Sequence, residues 1–257
     1  MSRAATVDSG AVTLSRLSDL EIVFVDLDAS RALLESEEAN TPRLSSSDHL
    51  RVERLSGDPG RQSLWRAARI ATRIVLEGAA GPEVRRVDFE IAVGGRPKLG
   101  EGFPHFNVSH TADVALIAVC WSSPVGADIE RHRVLSMTPE RRQRIVAAAA
   151  GFVSRERVDP DSDVDVLRAW VRLEAVAKAR GSGIGVLLTE EGVIGGASGN
   201  HEKPGKPGKP SPAVADLDVD TPYLAAVAAD VLPNEIAVRR FPERAEELTE
   251  FLSAFRT

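Results

Sequence analysis

At 257 residues, with 43% hydrophobic and 27% charged side chains, the chain can bury a sizeable core in one or two globular domains. Its net charge of -6 speaks against bulk nucleic-acid binding, and its single cysteine, Cys120, excludes an internal disulfide and a cysteine zinc cluster. The N-terminus shows no apolar signal core, and no run reaches the roughly 18 apolar residues of a membrane span. A soluble cytoplasmic protein is expected.

In chain order, residues 20–27 (LEIVFVDL) are rich in β-branched residues and read as a first strand. Residues 30–56 are polar and partly helical. From Ser63, SLWRAARIATRIVLEG carries Leu64, Ala68, Ala71 and Val75 at helical spacing, with Gly78 as its stop. VDFEIAVGGRPKL reads as a strand, a glycine turn and a strand, and FNVSHTADVALIAVCW as a second such pair. VGADIE, 125–130, follows the turn Ser122-Ser123-Pro124 as a further strand. Residues 138–157 are helical. Asp163 is placed to cap the next helix, whose apolar stripe is Val166, Trp170, Leu173 and Ala177 and whose end is Gly181. GVLLTEEGVIGG looks like a hairpin, the lysine-, glycine- and proline-rich segment within about 197–214 reads as a mobile surface loop, and YLAAVAA is a last strand. The order of helix, hairpin and apolar strand in 63–120 is echoed in 163–229. The echo alone carries little, but together with the carboxylates described next it suggests an α+β fold of two related halves, 1–122 and 123–257, each a small, mostly antiparallel sheet with a packed helix.

VGADIE raises the chemical question. Alternation along a strand points Asp128 and Glu130 the same way, and two like charges that close resist ionisation unless a cation stands between them. One helix downstream, Glu174 offers a third carboxylate and Lys178 follows it by one helical turn. An all-oxygen set suits a hard cation such as magnesium, with waters and substrate phosphates completing the shell. Taken alone, Glu174 and Lys178 are a helix pair worth roughly 0.3–0.5 kcal/mol, the strand carboxylates an exposed edge, and His110 a core histidine. Together they favour a metal–phosphate site.

GRPKL (95–99), FNVSH (106–110), VGADIE (125–130) and WVRLEAVAKARGSG (170–183) stand in the order and spacing found in the Sfp-type 4′-phosphopantetheinyl transferases. The resemblance runs from about residue 20 to about residue 230. It implies two pseudo-duplicated α+β units with coenzyme A in the cleft, and magnesium (or manganese) held by Asp128, Glu130 and Glu174. It further implies Glu174 and Lys178 as catalytic groups. Coenzyme A contacts are implied for Ser109, His110, Arg96, Asp128 and Lys178, together with arginines of the first long helix, Arg61 and Arg69. The implied reaction moves phosphopantetheine from coenzyme A to a serine of an acyl, polyketide or peptidyl carrier protein, and the implied state is a monomer without nucleic-acid or membrane partners. One departure stands out. The family has a lysine immediately before the helix glutamate, and here the residue is Leu173. If the family geometry holds, position 173 opens on the cleft and a lysine placed there would reach the pyrophosphate. The alternative that Leu173 motivates is a non-catalytic relative that binds coenzyme A or a carrier protein.

Overall fold

In a computed structural model, described over residues 19–92, 94–153, 158–194 and 211–255, the β-branched run at the start becomes β1 (Leu20–Asp26). Two polar helices follow, α1 (Arg31–Asn40) and α2 (Ser46–Arg54). A capping box opens α2, with Ser45 and Asp48 each accepting the other's backbone N–H. The long α3 (Pro59–Ala80) starts from Asp58, which accepts the Arg61 amide, with Pro59 at the first helical position. A two-residue hairpin, β2 (Glu90–Ile91) and β3 (Pro97–Lys98), precedes β4 (His105–Thr111), β5 (Val114–Cys120) and β6 (Val125–Arg131). The remainder is α4 (Pro139–Ala150), α5 (Asp163–Arg180), α6 (Ile184–Glu190), β7 (Ala213–Leu217), β8 (Tyr223–Ala229), β9 (Val238–Arg240) and α7 (Ala245–Ser253).

The fold is α+β, built as helix, sheet, sheet, helix. One sheet has the order β4-β5-β1-β9, antiparallel except where β9 runs parallel to β1. The other is the antiparallel β6-β8-β7. Alternation gives each strand two apolar faces. Ile22, Phe24, Leu116 and Ala118 of the first sheet meet Val125, Ala127, Ile129 and Val227 of the second in a core between the sheets. On the outer faces, Val23, Val25, Ile117 and Val119 pack with Ile70, Ile74 and Val75 of α3. Ala226 and Ala228 of β8 pack with Val166, Leu173 and Val176 of α5. The last segment returns to the first layer: β9 pairs with β1, and Phe241, Leu248 and Phe251 join the α3 core. Chain on both sides of the 122/123 boundary thus shares one core. Among the described residues no helix is long and apolar enough to cross a membrane.

Some sequence expectations need correction. Gly78 does not stop α3, which continues to Ala80; it is a close-contact point for the segment that follows α7, where a Cβ would stand 2.7 Å from the Phe255 ring. The cap of α5 is Ser162, whose hydroxyl accepts the Asp165 amide, one residue before Asp163. The segment read as a hairpin is α6: adjacent Leu187 and Leu188 are both buried in the α5 core, which a strand's alternation would not permit. The expected loop at 197–214 lies outside the described residues up to 210, and Ala213 already begins β7. Of the helix expected over 138–157, the structure shows Pro139–Ala150, and 154–157 lie outside the described residues.

Candidate active site

The site forms where the edges of the two sheets meet under the C-terminal half of α5. β6 is an edge strand, and small residues bring α5 down onto it. Gly126 sits opposite Ala228, and Asp128 opposite Ala226. A Cβ on Gly126 would collide with the carbonyl oxygen of Ala175 and the amide nitrogen of Ala179. The glycine of VGADIE is therefore what lets the helix approach closely enough for its side chains to reach Asp128. Leu173 points the other way, wholly buried at 0% exposure among Val166, Ala169 and Val176. The expectation that this position opens on the cleft is wrong. The stripe that fixes α5 on the sheet uses Leu173, and a side chain there faces the core.

The free edge of β6 is closed by side chains. Asn107 of β4 accepts the Ala127 amide at 2.9 Å, and Lys178 of α5 donates to the Ala127 carbonyl at 3.1 Å. Lys178 reaches past Glu174, its neighbour one turn earlier, to the Asp128 carboxylate, with Nζ 2.6 Å from Oδ1. Ser109 donates to the same oxygen at 2.7 Å and receives Lys178 at 3.1 Å. Asp128 is buried, and its other oxygen, Oδ2, finds no hydrogen-bond partner among the described residues. Burial pushes the Asp128 carboxyl above its ordinary range even against Lys178. Burial raises the Glu174 carboxyl too, and the negative charge of Asp128 adds to the effect.

A cavity of about 250 Å³ opens at this point, lined by Glu174 and Lys178, by Asn107, and by Gly94–Pro97 with Gly181–Ile184. Gly94 belongs there for a physical reason. It sits at φ 90°, and a Cβ would strike the Gly181 carbonyl oxygen at the end of α5. Arg96 is half-buried, with Nη1 3.3 Å from the Lys178 carbonyl oxygen and 3.4 Å from that of Ala179, so it caps the C-terminus of α5. Burial lowers its pKa.

A second cavity of about 150 Å³ shares Pro97 and Asn107 with the first and is lined by Trp65, Arg69, Thr72 and His110. His110 and Ser109 are neighbours in sequence but lie on opposite faces of β4. Ser109 faces Asp128, and His110 faces α3. Burial, then the charges of Lys178 and Arg61, lower the His110 pKa. Arg69 lies over the Trp65 and Phe89 rings and 3.3 Å from Asp48, and burial lowers its pKa. Arg61 is exposed at the start of α3.

The structure thus brings together Ser109, Asp128, Glu174 and Lys178, with Arg96 beside them and His110 and Arg69 in the adjoining cavity. Glu130 lies close enough for its charge to act on both Asp128 and Glu174, while its carboxylate pairs with Arg133 at 2.6 Å near the end of β6. Among the described residues, no group of three or more His, Cys, Asp or Glu side chains stands as a metal cluster. The donor set nonetheless fits a hard cation at two carboxylates. Asp128 offers a buried, unpartnered oxygen, and both carboxylates are destabilised in the ionised form by the burial and repulsion that a cation would relieve. Asn107 is the site residue that sequence reading missed. Its signal was only its alternation with Ser109, and its role needs β4 and β6 to be side by side.

No family model matches the chain. The chain is similar to the 4′-phosphopantetheinyl transferase HetI of Nostoc sp. (strain PCC 7120), with 31% identity over 148 residues. The match covers 56% of this chain and 62% of that relative, so the chain spans less than two thirds of its length. The resemblance carried by the four motifs and this similarity point to one family.

Proposed function

We propose that this relative of the phosphopantetheinyl transferases moves 4′-phosphopantetheine from coenzyme A to a serine hydroxyl of a carrier protein. The observation that carries the reading is the buried, unpartnered Oδ2 of Asp128, whose charge acts on Glu174 and whose carboxylate is held by Lys178, with Glu174 and Lys178 both lining a cavity framed by residues of the other three motifs. Magnesium, held by Asp128 and Glu174 with Glu130 adding negative charge nearby, would supply charge neutralisation on the pyrophosphate oxygens.

The chain's own groups divide the remaining work. His110, with the positive charge of Arg61 nearby, faces the nucleotide phosphate end, and Trp65 gives that cavity an apolar wall. Arg96 and Arg69 line the two cavities and add positive potential. Glu174, which lines the cavity beside Lys178, accepts the proton of the carrier serine directly or through a water. The serine oxygen bonds to the β-phosphorus, the phosphoanhydride bond breaks, and 3′,5′-adenosine bisphosphate leaves with the electron pair. Both layers of the cleft come from one chain, which supports a monomer.

The test is the intact mass of an apo carrier protein incubated with this protein, coenzyme A and magnesium. A gain of one phosphopantetheine per carrier is expected. Tight binding of coenzyme A with no change in carrier mass would refute transfer.

A further inference from the structure

We propose that Asn107 is a substrate-binding residue, whose side-chain NH2 donates to the pyrophosphate of coenzyme A where that ligand passes from one cavity to the other. The inference rests on the transfer reading, which puts the reacting phosphate beside Glu174 and the nucleotide phosphate end beside His110. It gives this asparagine a second role besides closing the edge of β6.

The direction of the amide is fixed by the bond it already makes. The Ala127 N–H donates to Asn107 Oδ1 at 2.9 Å, and of the two ends of a side-chain amide only the oxygen can accept. The NH2 group therefore takes the other position. Asn107 is buried, at 5% exposure, yet its NH2 has no hydrogen-bond partner among the described residues. Nor does it belong to the side-chain atoms that are both unpartnered and sealed from solvent, which are Ser30 Oγ, Asp128 Oδ2, Arg172 Nη1 and Ser182 Oγ. It faces open space. Two unused N–H donors on so buried a residue call for an acceptor.

The open space at Asn107 is the pair of cavities. Only Pro97 and Asn107 line both of them. Proline has no N–H, so Asn107 alone brings a side-chain donor to the place where they meet. Lys178 and Arg96 stand in the first cavity, and Arg69 and His110 in the second. A ligand that fills both must cross Asn107 and suits cations at each end. Its middle should be rich in acceptors and have no donor of its own, which describes a pyrophosphate. A neutral amide supplies the donor there without adding a further charge beside Lys178. The same side chain holds the Ala127 amide next to Asp128, so the ligand and the strand that carries Asp128 share one anchor.

The experiment reads the Asn107 side-chain N–H signals of the wild type by nuclear magnetic resonance, in the presence of a chelator. Saturation with coenzyme A should move one of them downfield, and adenosine 3′-monophosphate, which lacks the pyrophosphate, should leave both in place. Asn107→Asp keeps an oxygen for the Ala127 amide and loses the donor; the chelator keeps its added carboxylate from recruiting a metal. By calorimetry this variant should bind coenzyme A and dephospho-coenzyme A at least about tenfold more weakly, by the same factor for both, the effect of losing a hydrogen bond to a charged group. Side-chain signals that do not move with coenzyme A would overturn the proposal, as would unchanged affinity in Asn107→Asp or a wild type that does not bind coenzyme A. A loss confined to coenzyme A would also overturn it, because the donor would then face the nucleotide phosphate. Should the variant fail to fold, the wild-type signals decide alone. Carrier modification is scored apart. A wild type that modifies the carrier while its Asn107 signals stay still keeps the transfer reading and loses this contact; one that shows the contact and leaves the carrier unmodified does the reverse.

Discussion

Leu173→Lys is the substitution on which sequence resemblance and structure disagree most sharply. By resemblance it restores a family lysine and should reach the pyrophosphate. In the structure the side chain is wholly buried in the core between α5 and the β6-β8-β7 sheet, with no exposed surface along which a lysine stem could extend. Removing a buried leucine costs about 2–5 kcal/mol. The incoming ammonium must also be buried without a partner, or must neutralise, which adds to the loss. We expect a total of at least about 3–5 kcal/mol. At roughly 2–4 °C of melting temperature per kcal/mol for a chain this long, that is a fall of about 6–20 °C. Leu173→Met, which nearly conserves volume, should cost less than about 1.5 kcal/mol and serves as the control. Thermal melts of the three proteins, with carrier-modification kinetics on the same samples, decide the matter. A fall below about 3 °C in Leu173→Lys, together with tighter coenzyme A binding, would refute the burial argument and return the position to the cleft.

Gly126→Ala places a Cβ against backbone atoms of Ala175 and Ala179 that cannot swing aside, so α5 must lift; we expect both a lower melting temperature and a loss of transfer, read on the same sample, and normal activity would contradict the close-approach account. Asp128→Asn keeps an oxygen acceptor for Ser109 and Lys178 and should fold with a similar melting temperature. It should lose metal-dependent transfer by more than the roughly 10–100-fold that loss of an outer-shell partner costs, and near-normal turnover would remove Asp128 from the site. His110→Ala should weaken coenzyme A binding by about tenfold to over a hundredfold, the cost of about 1.5–3 kcal/mol for a charge-assisted hydrogen bond. It should affect dephospho-coenzyme A little, and equal losses for both ligands would make His110 structural. His110 has a folded pKa below its ordinary value, so it is neutral near pH 7 and gains its proton only as pH falls through that lowered pKa. Coenzyme A affinity should therefore rise as pH falls below about 6.5, calorimetry should show this slope in the wild type, and His110→Ala should lack it.

Strands and helices with strong local patterns were legible in the sequence. The strand readings for 20–27 and 223–229 match β1 and β8, and FNVSH with VALIAVC formed the expected pair. What local pattern did not carry was set by distant contacts. Gly78 looked like a helix stop because nothing nearby announces Phe255, and the parallel pairing of Val238–Arg240 with β1 joins opposite ends of the described chain. Position 185–196 looked like a hairpin because its glycines outweighed the adjacent leucines that bury together. In the site, the carboxylates and Lys178 drew attention by their spacing, but only the four motifs together singled them out. The partners were not: Lys178 pairs with Asp128 rather than with Glu174, and Glu130 turns to Arg133. Leu173 had two readings in the sequence, packing stripe or family lysine position, and only the packed helix decides between them.

The central claim is that the Asp128–Glu174 centre carries out phosphopantetheine transfer, and its most direct measurement is the release of 3′,5′-adenosine bisphosphate against carrier mass gain. It is made for the wild type and Glu174→Gln, with magnesium and with chelator. The account predicts one bisphosphate per modified carrier in the wild type with magnesium, and neither product with chelator or with Glu174→Gln. Full modification by Glu174→Gln, or by the wild type in chelator, would contradict it.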